Sequence, residues 1–228
     1  MQEELQHYQT FFSLVGRVLH RFPSRGLYVT LVENRLFQAL PIDVDDAEFA
    51  RGAALLAAWD EQLGGKLDEE AYKDLLADNT RLFVGLQEMT CPPWESFYFN
   101  TDRQIFQSQT REVRDWYRRH GLNIEKLHQE PDDHIGLELE FVAMLLERAL
   151  SAPGDERDAI IYDARMFIEE HPGRWVGIWA KQVSKEARTD FYKGLAAIIP
   201  AAINRIHRLQ KDRRPARPPC VLQPEKPI

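Results

Sequence analysis

The sequence has little cysteine, and its cysteines are not spaced to form a disulfide framework or to bind a metal. Its two cysteines, Cys91 and Cys220, lie far apart and without a CxxC or Cys/His cluster around them. This usage predicts neither a disulfide framework nor a structural zinc site, and it fits a reducing compartment. At 228 residues the chain is long enough to bury a core without such cross-links.

The sequence also has fewer positive than negative side chains. Lys and Arg number 29 against 36 Asp and Glu, a formal net charge of −7, so the chain lacks the basic footprint of a nucleic-acid-binding protein. No apolar run reaches the roughly 18 residues of a membrane span, and the N-terminus lacks the layout of a secretory signal. We therefore expect a cytoplasmic protein with no nucleic-acid partner and no membrane span.

Alternating strand patterns are missing, whereas apolar residues recur at helical spacing. In the first segment they follow each other at intervals of three and four residues: Leu5, Tyr8, Phe12, Val15, Leu19 and Phe22. Asp45 and Asp68 are predicted helix caps, and Gly85 is a predicted helix end. The predicted helices cover about 5–22, 27–39, 46–63, 69–85, 102–120, 131–150, 155–170, 175–185 and 189–209, with an extended loop over 86–100. The prediction is an all-α fold, a single domain of about nine to ten helices over residues 1–210.

The last residues differ in composition from the rest. Residues 211–228 hold five of the 13 prolines and five basic residues against two acids. We expect this basic, proline-rich tail to be disordered. Residues 1–210 are then more acidic than the whole chain, which favours a positively charged partner.

Motifs of the common enzyme classes are absent, including the phosphate loop, GxGxxG, HExxH and GxSxG. One ExxH spacing, from Glu125 to His128, is present, but di-iron bundles need this motif twice. His134 and Glu138 are four residues apart and could share a metal, although a simple His–Glu pair on one helix explains them too. We predict no catalytic residue, no metal and no cofactor; the alternative is a helical metal-dependent hydrolase that uses Asp133, His134 and Glu138.

A proline-led segment gathers four aromatic rings within six residues: Trp94, Phe97, Tyr98 and Phe99. That is more apolar surface than a solvated connection needs. One interpretation is that the rings pack into the core and fix the loop. The other is that they line a groove in which large rings anchor a bound peptide.

A second segment, residues 130–136, places acids beside a histidine. With Pro131 in the first turn of a helix, Asp132 and Asp133 would lie where the helix dipole favours negative charge. Capping alone explains them. The same carboxylates could instead receive guanidinium groups, with His134 tuning the site.

Taken together, three motifs resemble the TorD/DmsD family. They are RLFVG at 81–85, PPWESFY at 92–98 and EPDDHIGLELEF at 130–141, and they stand in the family's order. The later HPGRWVGIWA at 171–180 resembles the family's H-x-x-R-W element. Members of this family are the cytoplasmic maturation chaperones of molybdoenzymes exported by the twin-arginine route.

The resemblance implies an all-helical protein without a catalytic centre. It would bind the twin-arginine signal peptide and folded body of a molybdopterin-containing reductase precursor, and delay export until cofactor insertion and folding are complete. A monomer or a domain-swapped dimer is compatible with the family. The rival, a general helical adaptor, would bind a partner helix instead. The expected peptide-binding residues are Leu82, Phe83, Pro93, Trp94, Glu95, Tyr98, Asp132, Asp133 and His134.

Overall fold

The computed structural model describes residues 2–20, 23–85, 89–100, 102–122 and 130–209. Ten α-helices lie within these ranges: α1 Gln2–His20, α2 Arg25–Glu33, α3 Ala47–Leu63, α4 Glu69–Asn79, α5 Glu95–Phe99, α6 Ser108–Arg119, α7 Ile135–Ser151, α8 Gly154–Glu170, α9 Pro172–Glu186 and α10 Asp190–Leu209. A π-helical turn, Thr80–Val84, continues α4. The described residues form no β-strand beyond a single bridge, so the all-α prediction is confirmed.

The chain divides into two compact units, each built from separate stretches of sequence. The first unit takes its described residues from 1–20, 94–175 and 206–209, and the second from 23–93 and 176–205. Helices α1 and α5 to α8 belong to the first unit, and α2 to α4 to the second. The predicted tail, 211–228, lies outside the described residues, and its disorder stays a prediction.

Close packing of α1 against α7 organises the first unit. A Cβ atom at Gly136 would stand 2.5 Å from the backbone nitrogen of His20, so only glycine lets the two helices approach so closely. The apolar stripe predicted for α1 is buried here, apart from Phe22, which lies outside the described residues: Leu5, Tyr8, Phe12, Val15 and Leu19. The 3.6-residue period therefore identified the inner face of α1 correctly.

Aromatic packing and good helix caps characterise the second unit. Phe191 packs against Trp59 at 4.7 Å and Phe37 at 5.4 Å between ring centroids. The hydroxyl groups of Tyr28 and Tyr192 form a buried hydrogen bond of 2.9 Å. Helix α4 begins as predicted, because the Asp68 carboxylate accepts from a backbone N–H of its first turn.

The predicted boundaries of α2, α3 and α6 are wrong, each for a local reason. Helix α2 ends at Glu33 because Arg35, two residues on, has a left-handed φ of 52°. The cap of α3 is Asp46 rather than Asp45, since the Asp46 carboxylate accepts from two backbone N–H groups. Helix α6 begins at Ser108 rather than near residue 102, because Arg103 and Phe106 both have positive φ. Among the described helices, none is long and apolar enough to cross a membrane.

Candidate functional site

The proline-led segment contains a short helix that the sequence did not predict. Trp94 is extended, with φ −120° and ψ 133°, and α5 follows it for one turn. The Trp94 side chain makes no capping hydrogen bond. The cap comes from elsewhere in the sequence: the Asp133 carboxylate accepts from the backbone N–H of Ser96 at 2.7 Å. The sequence predicted an extended loop over 86–100. That prediction is wrong for residues 95–99, which form α5. Residues 86–88 lie outside the described residues.

The acidic segment before α7 also differs from its prediction. The helix begins at Ile135, and His134 is its cap, with Nδ1 accepting from the backbone N–H of Gly136 at 3.0 Å. Pro131 is therefore not in the first turn of a helix, and Asp132 and Asp133 lie before it. Burial, followed by the nearby charge of His20, lowers the pKa of His134 to about 3. The His134 ring is neutral at physiological pH, as its capping role requires.

These two segments, about 40 positions apart in the sequence, meet in the first unit. Trp94 and His134 form an antiparallel bridge, in which the backbone N–H of Glu95 donates to the carbonyl of Asp133 at 3.0 Å. The rings of Trp94 and His134 pack edge to face, with centroids 5.9 Å apart. The segment 94–99, which we call the aromatic loop, is thus in direct contact with the turn formed by residues 132–134, which we call the Asp-His turn.

Both acids of the turn face inward and have partners. Asp132 pairs with Arg114 of α6, and the second oxygen of Asp133 accepts from the Thr110 hydroxyl at 2.7 Å. The Asp132 and Asp133 side chains are fully buried. Their carboxylates hold α5 and α6 against the turn before α7, and neither is open at the surface to receive a guanidinium group.

A second layer of buried polar groups lies beneath this turn. Glu95 Oε2 is 2.8 Å from His171 Nδ1, and the Trp175 indole N–H donates to Glu138 Oε2 at 3.1 Å. After burial, the nearby charges of Glu95 and Asp133 disfavour a charged Glu138 carboxyl group. Burial raises the pKa of both groups, more strongly for Glu138, and His171 partly offsets this for Glu95.

This layer, which we call the buried carboxyl network (Glu95, Asp133, Glu138, His171 and Trp175), joins three sequence motifs. Glu95 comes from PPWESFY, Asp133 and Glu138 from EPDDHIGLELEF, and the other two from HPGRWVGIWA. The sequence did not assign His171 or Trp175 to the site. Both lie in the H-x-x-R-W element, which was the available signal; His171 stands just before α9 and Trp175 lies in its first turn.

The network does not resemble a metal site. Each proposed ligand of the hydrolase alternative is already engaged: Asp133 by Ser96 and Thr110, His134 by a backbone N–H, and Glu138 by Trp175. Within the described ranges, no three His, Cys, Asp or Glu side chains are grouped so that they could hold a metal ion. Glu125 and His128 lie outside the described residues.

The four aromatic rings of the loop are half-buried, so they are partly packed and partly at the surface. Tyr98 stacks on Trp175 at 5.3 Å, and the guanidinium group of Arg174 lies 4.6 Å from the centre of the Phe99 ring. The Trp94 indole N–H has no hydrogen-bond partner among the described residues. The loop is fixed from below, yet part of each ring is available for contact.

The remaining predicted site residues belong to the second unit. Leu82 is fully buried, and the Phe83 ring packs against Trp179 at 6.1 Å and Tyr192 at 5.5 Å. The Leu82 carbonyl accepts from the backbone N–H of Cys91 at 2.8 Å. Pro93 is buried at the end of this unit. In this structure Leu82 and Phe83 are core residues of the second unit.

Comparison with known proteins identifies the family within this all-α class. The family model for the nitrate reductase delta subunit matches residues 46–181, more than half of the chain, and the protein belongs to this family. A Haemophilus influenzae protein named as the probable Tat proofreading chaperone DmsD is 25% identical over 202 residues, which cover 87% of this chain and 89% of that protein. The Vibrio cholerae chaperone protein TorD is 27% identical over 140 residues, 59% of this chain and 61% of that one.

A solved structure from Archaeoglobus fulgidus, described as a redox enzyme maturation protein, has a TM-score of 0.48 and 18% identity, and the match covers 93% of this chain and 94% of that one. The resemblance to the TorD/DmsD family, read from the motifs, is confirmed by the family model and by the named relatives.

Proposed function

We propose that this protein is a cytoplasmic chaperone that binds the twin-arginine signal peptide of a molybdopterin-containing reductase precursor. It delays export until the cofactor is inserted and the precursor is folded, and it catalyses no reaction. One observation carries the proposal: three of the four motifs that are typical of the family meet in the buried carboxyl network, directly beneath the half-exposed rings. The names of the relatives, Tat proofreading chaperone and TorD, support the same role.

The apolar stretch of the signal peptide would bind to the aromatic loop. Trp94 and Tyr98 offer large rings whose backbone is already fixed, so little conformational entropy is lost on binding. Such central aromatic residues commonly contribute about 2 kcal/mol or more to a peptide interface. We assign the affinity for the apolar stretch mainly to these two rings.

The buried residues of the expected site would not touch the peptide; they would keep the aromatic loop in the conformation that binds it. Glu95, Asp132 and Asp133 are fully buried, and His134 caps α7, so they hold the rings in place. Leu82, Phe83 and Pro93, which belong to the second unit, are proposed to contribute to peptide binding because the family resemblance implies it. We propose that the protein also contacts the folded body of the precursor, in addition to its signal peptide.

Co-purification tests this function. The tagged protein, isolated from its own cells, is expected to bring down one reductase precursor whose leader is uncleaved. The matched control is the same precursor without its leader, which should be recovered at least tenfold less. Equal recovery of the two forms would contradict leader binding. Recovery of a partner that has no twin-arginine leader would favour the general adaptor instead.

A further inference from the structure

A cavity lies in the first unit, and no residue of the segment 94–99 lines it. It has a volume of about 600 Å³ and is enclosed by the end of α6, the end of α7 and the first half of α8. None of its lining residues belongs to the buried carboxyl network or to the proposed peptide-binding residues. The cavity is therefore a separate feature of the same unit.

A histidine and an aspartate form its polar wall. His120 Nε2 lies 3.4 Å from Asp163 Oδ2, and both side chains are nine-tenths buried. Burial and the nearby Arg148 and Arg119 lower the pKa of His120 to about 4, so the ring is uncharged at neutral pH. His120 is therefore no counter-ion for Asp163. The neighbours of the Asp163 carboxyl group are the uncharged His120 ring and the charge of Arg119; Arg119 lowers the pKa of Asp163, but burial outweighs this and raises it to about 6, so the group is mostly ionised at neutral pH.

The charges around the cavity favour a cation. Glu147 and Glu156 are exposed at its edge. Helices α6 and α7 end here while α8 begins here, so the helix dipoles bring partial charge of both signs, and the preference for a cation rests on the three acids Glu147, Glu156 and Asp163. The basic side chain that lines the cavity, Arg148, is engaged, because it donates to the His120 carbonyl at 2.9 Å.

The rest of the lining is apolar and suits a methylene chain. Ala152, Pro153, Ala159 and Ile160 form this part of the wall. A ligand that fits must carry a positive group for Asp163 and an apolar stem for these side chains. An arginine side chain has both, and its planar guanidinium group forms charge-assisted hydrogen bonds with a carboxylate.

We propose that this cavity is the subsite for an arginine side chain of the signal peptide, with Asp163 as the receiving carboxylate. The inference rests on the proposed function. It also removes a difficulty, since Asp132 and Asp133, the acids expected to receive the arginines, are buried and already bonded. Asp163 is buried but opens into a cavity of sufficient size.

Calorimetry with a synthetic leader peptide tests the subsite. Asp163→Asn, which keeps the size of the side chain, is expected to weaken leader binding at least tenfold. The control is Glu112→Gln, an exposed acid of α6, which should change affinity less than twofold. With a leader in which both arginines are replaced by glutamine, wild type and Asp163→Asn should bind equally. Unchanged affinity of Asp163→Asn for the arginine leader would overturn the subsite.

A second measurement is independent of the leader and of the variant's folding. Methylguanidinium chloride added to the wild-type protein should shift the ring NMR signals of His120, while those of His134 stay in place. No shift of the His120 signals at concentrations up to about 50 mM would also overturn the subsite, since single ion pairs of this kind bind weakly. If Trp94→Ala abolishes leader binding and Asp163→Asn does not, the chaperone function stands and the subsite fails. If no leader binds the wild type, the function fails, and the methylguanidinium titration still decides the subsite.

Discussion

The indole ring of Trp94 packs edge to face against the imidazole ring of His134, at 5.9 Å between centroids, and one backbone bridge joins the same two residues. This contact couples the aromatic loop to the start of α7. Since Asp133 also caps α5, the backbone around Trp94 is held from two directions. The ring is thus presented by a rigid frame, which is the arrangement that lowers the entropic cost of binding a peptide.

Removal of the Trp94 ring should therefore weaken leader binding strongly. We expect Trp94→Ala to cost about 2 kcal/mol or more, roughly a thirtyfold loss of affinity in calorimetry. Phe106→Ala is the matched control, because Phe106 is an exposed ring of the same unit that lies in the loop before α6. If the two variants lose affinity equally, Trp94 is no special anchor.

Asp133→Asn should act through stability rather than through surface charge. The carboxylate accepts from the Ser96 N–H and the Thr110 hydroxyl, and an amide has only one oxygen to offer them. We expect a loss of about 1–3 kcal/mol in the free energy of unfolding, measured with urea. Because the group is buried, any loss in leader affinity should be nearly the same at low and high salt. A loss confined to low salt would show that Asp133 meets the peptide directly.

The sequence predicted the helices better than it predicted the orientation of the acids. The period of α1 and the cap at Asp68 depend on residues close together in the chain, and both are confirmed. The carboxylates of Asp132 and Asp133 could equally have faced solvent or protein. Their orientation is decided by Arg114 and Thr110, which lie about 20 positions away and on another helix.

The buried carboxyl network shows the same limit more clearly. The hydrogen bond between Glu95 and His171 joins residues 76 positions apart, and no local pattern identifies such a partner. The family motifs marked both residues without giving their contact. Boundaries failed where single residues take positive φ, as at Arg35 and Phe106, since neither residue type favours that conformation.

Two glycine substitutions should have opposite effects on stability. A Cβ atom at Gly136 would stand 2.5 Å from both the backbone nitrogen and the Cβ of His20, so Gly136→Ala must separate α1 from α7. We expect a loss of about 1–3 kcal/mol on thermal unfolding. Gly177 lies inside α9, where an added Cβ would meet no described atom within 4 Å, and Gly177→Ala should stabilise by about 0.5–1 kcal/mol. Equal effects of the two changes would contradict the close helix packing.

Acid should destabilise the fold through His134. Its pKa falls from about 6.5 in the unfolded chain to about 3 in the fold, so the neutral form is favoured by folding. This stabilisation is complete above pH 6.5 and is lost as the pH falls from 6.5 towards 3. His134→Asn keeps a cap without a titrating ring, so its urea stability should fall less over this range. His7→Gln, on the exposed face of α1, should follow the wild type; if His134→Asn does so as well, the ring is not held neutral.

The raised pKa values of Glu95 and Glu138 predict the opposite dependence at higher pH. Folding raises the pKa of both carboxyl groups above the value of about 4.5 that they have in the unfolded chain. The stabilisation is therefore complete below pH 4.5 and is lost as the pH rises towards the raised pKa of the pair. Glu138→Gln keeps the size of the side chain and removes one titrating group. Its advantage over the wild type in urea unfolding should grow from pH 5 to pH 8.

The control for this comparison is Glu147→Gln, an exposed acid of the same helix. Its difference from the wild type should stay constant across the same pH range, because its carboxyl group lies at the surface. If Glu138→Gln also keeps a constant difference from the wild type, folding does not raise the pKa of Glu138, and this carboxyl group gives the stability of the fold no dependence on pH.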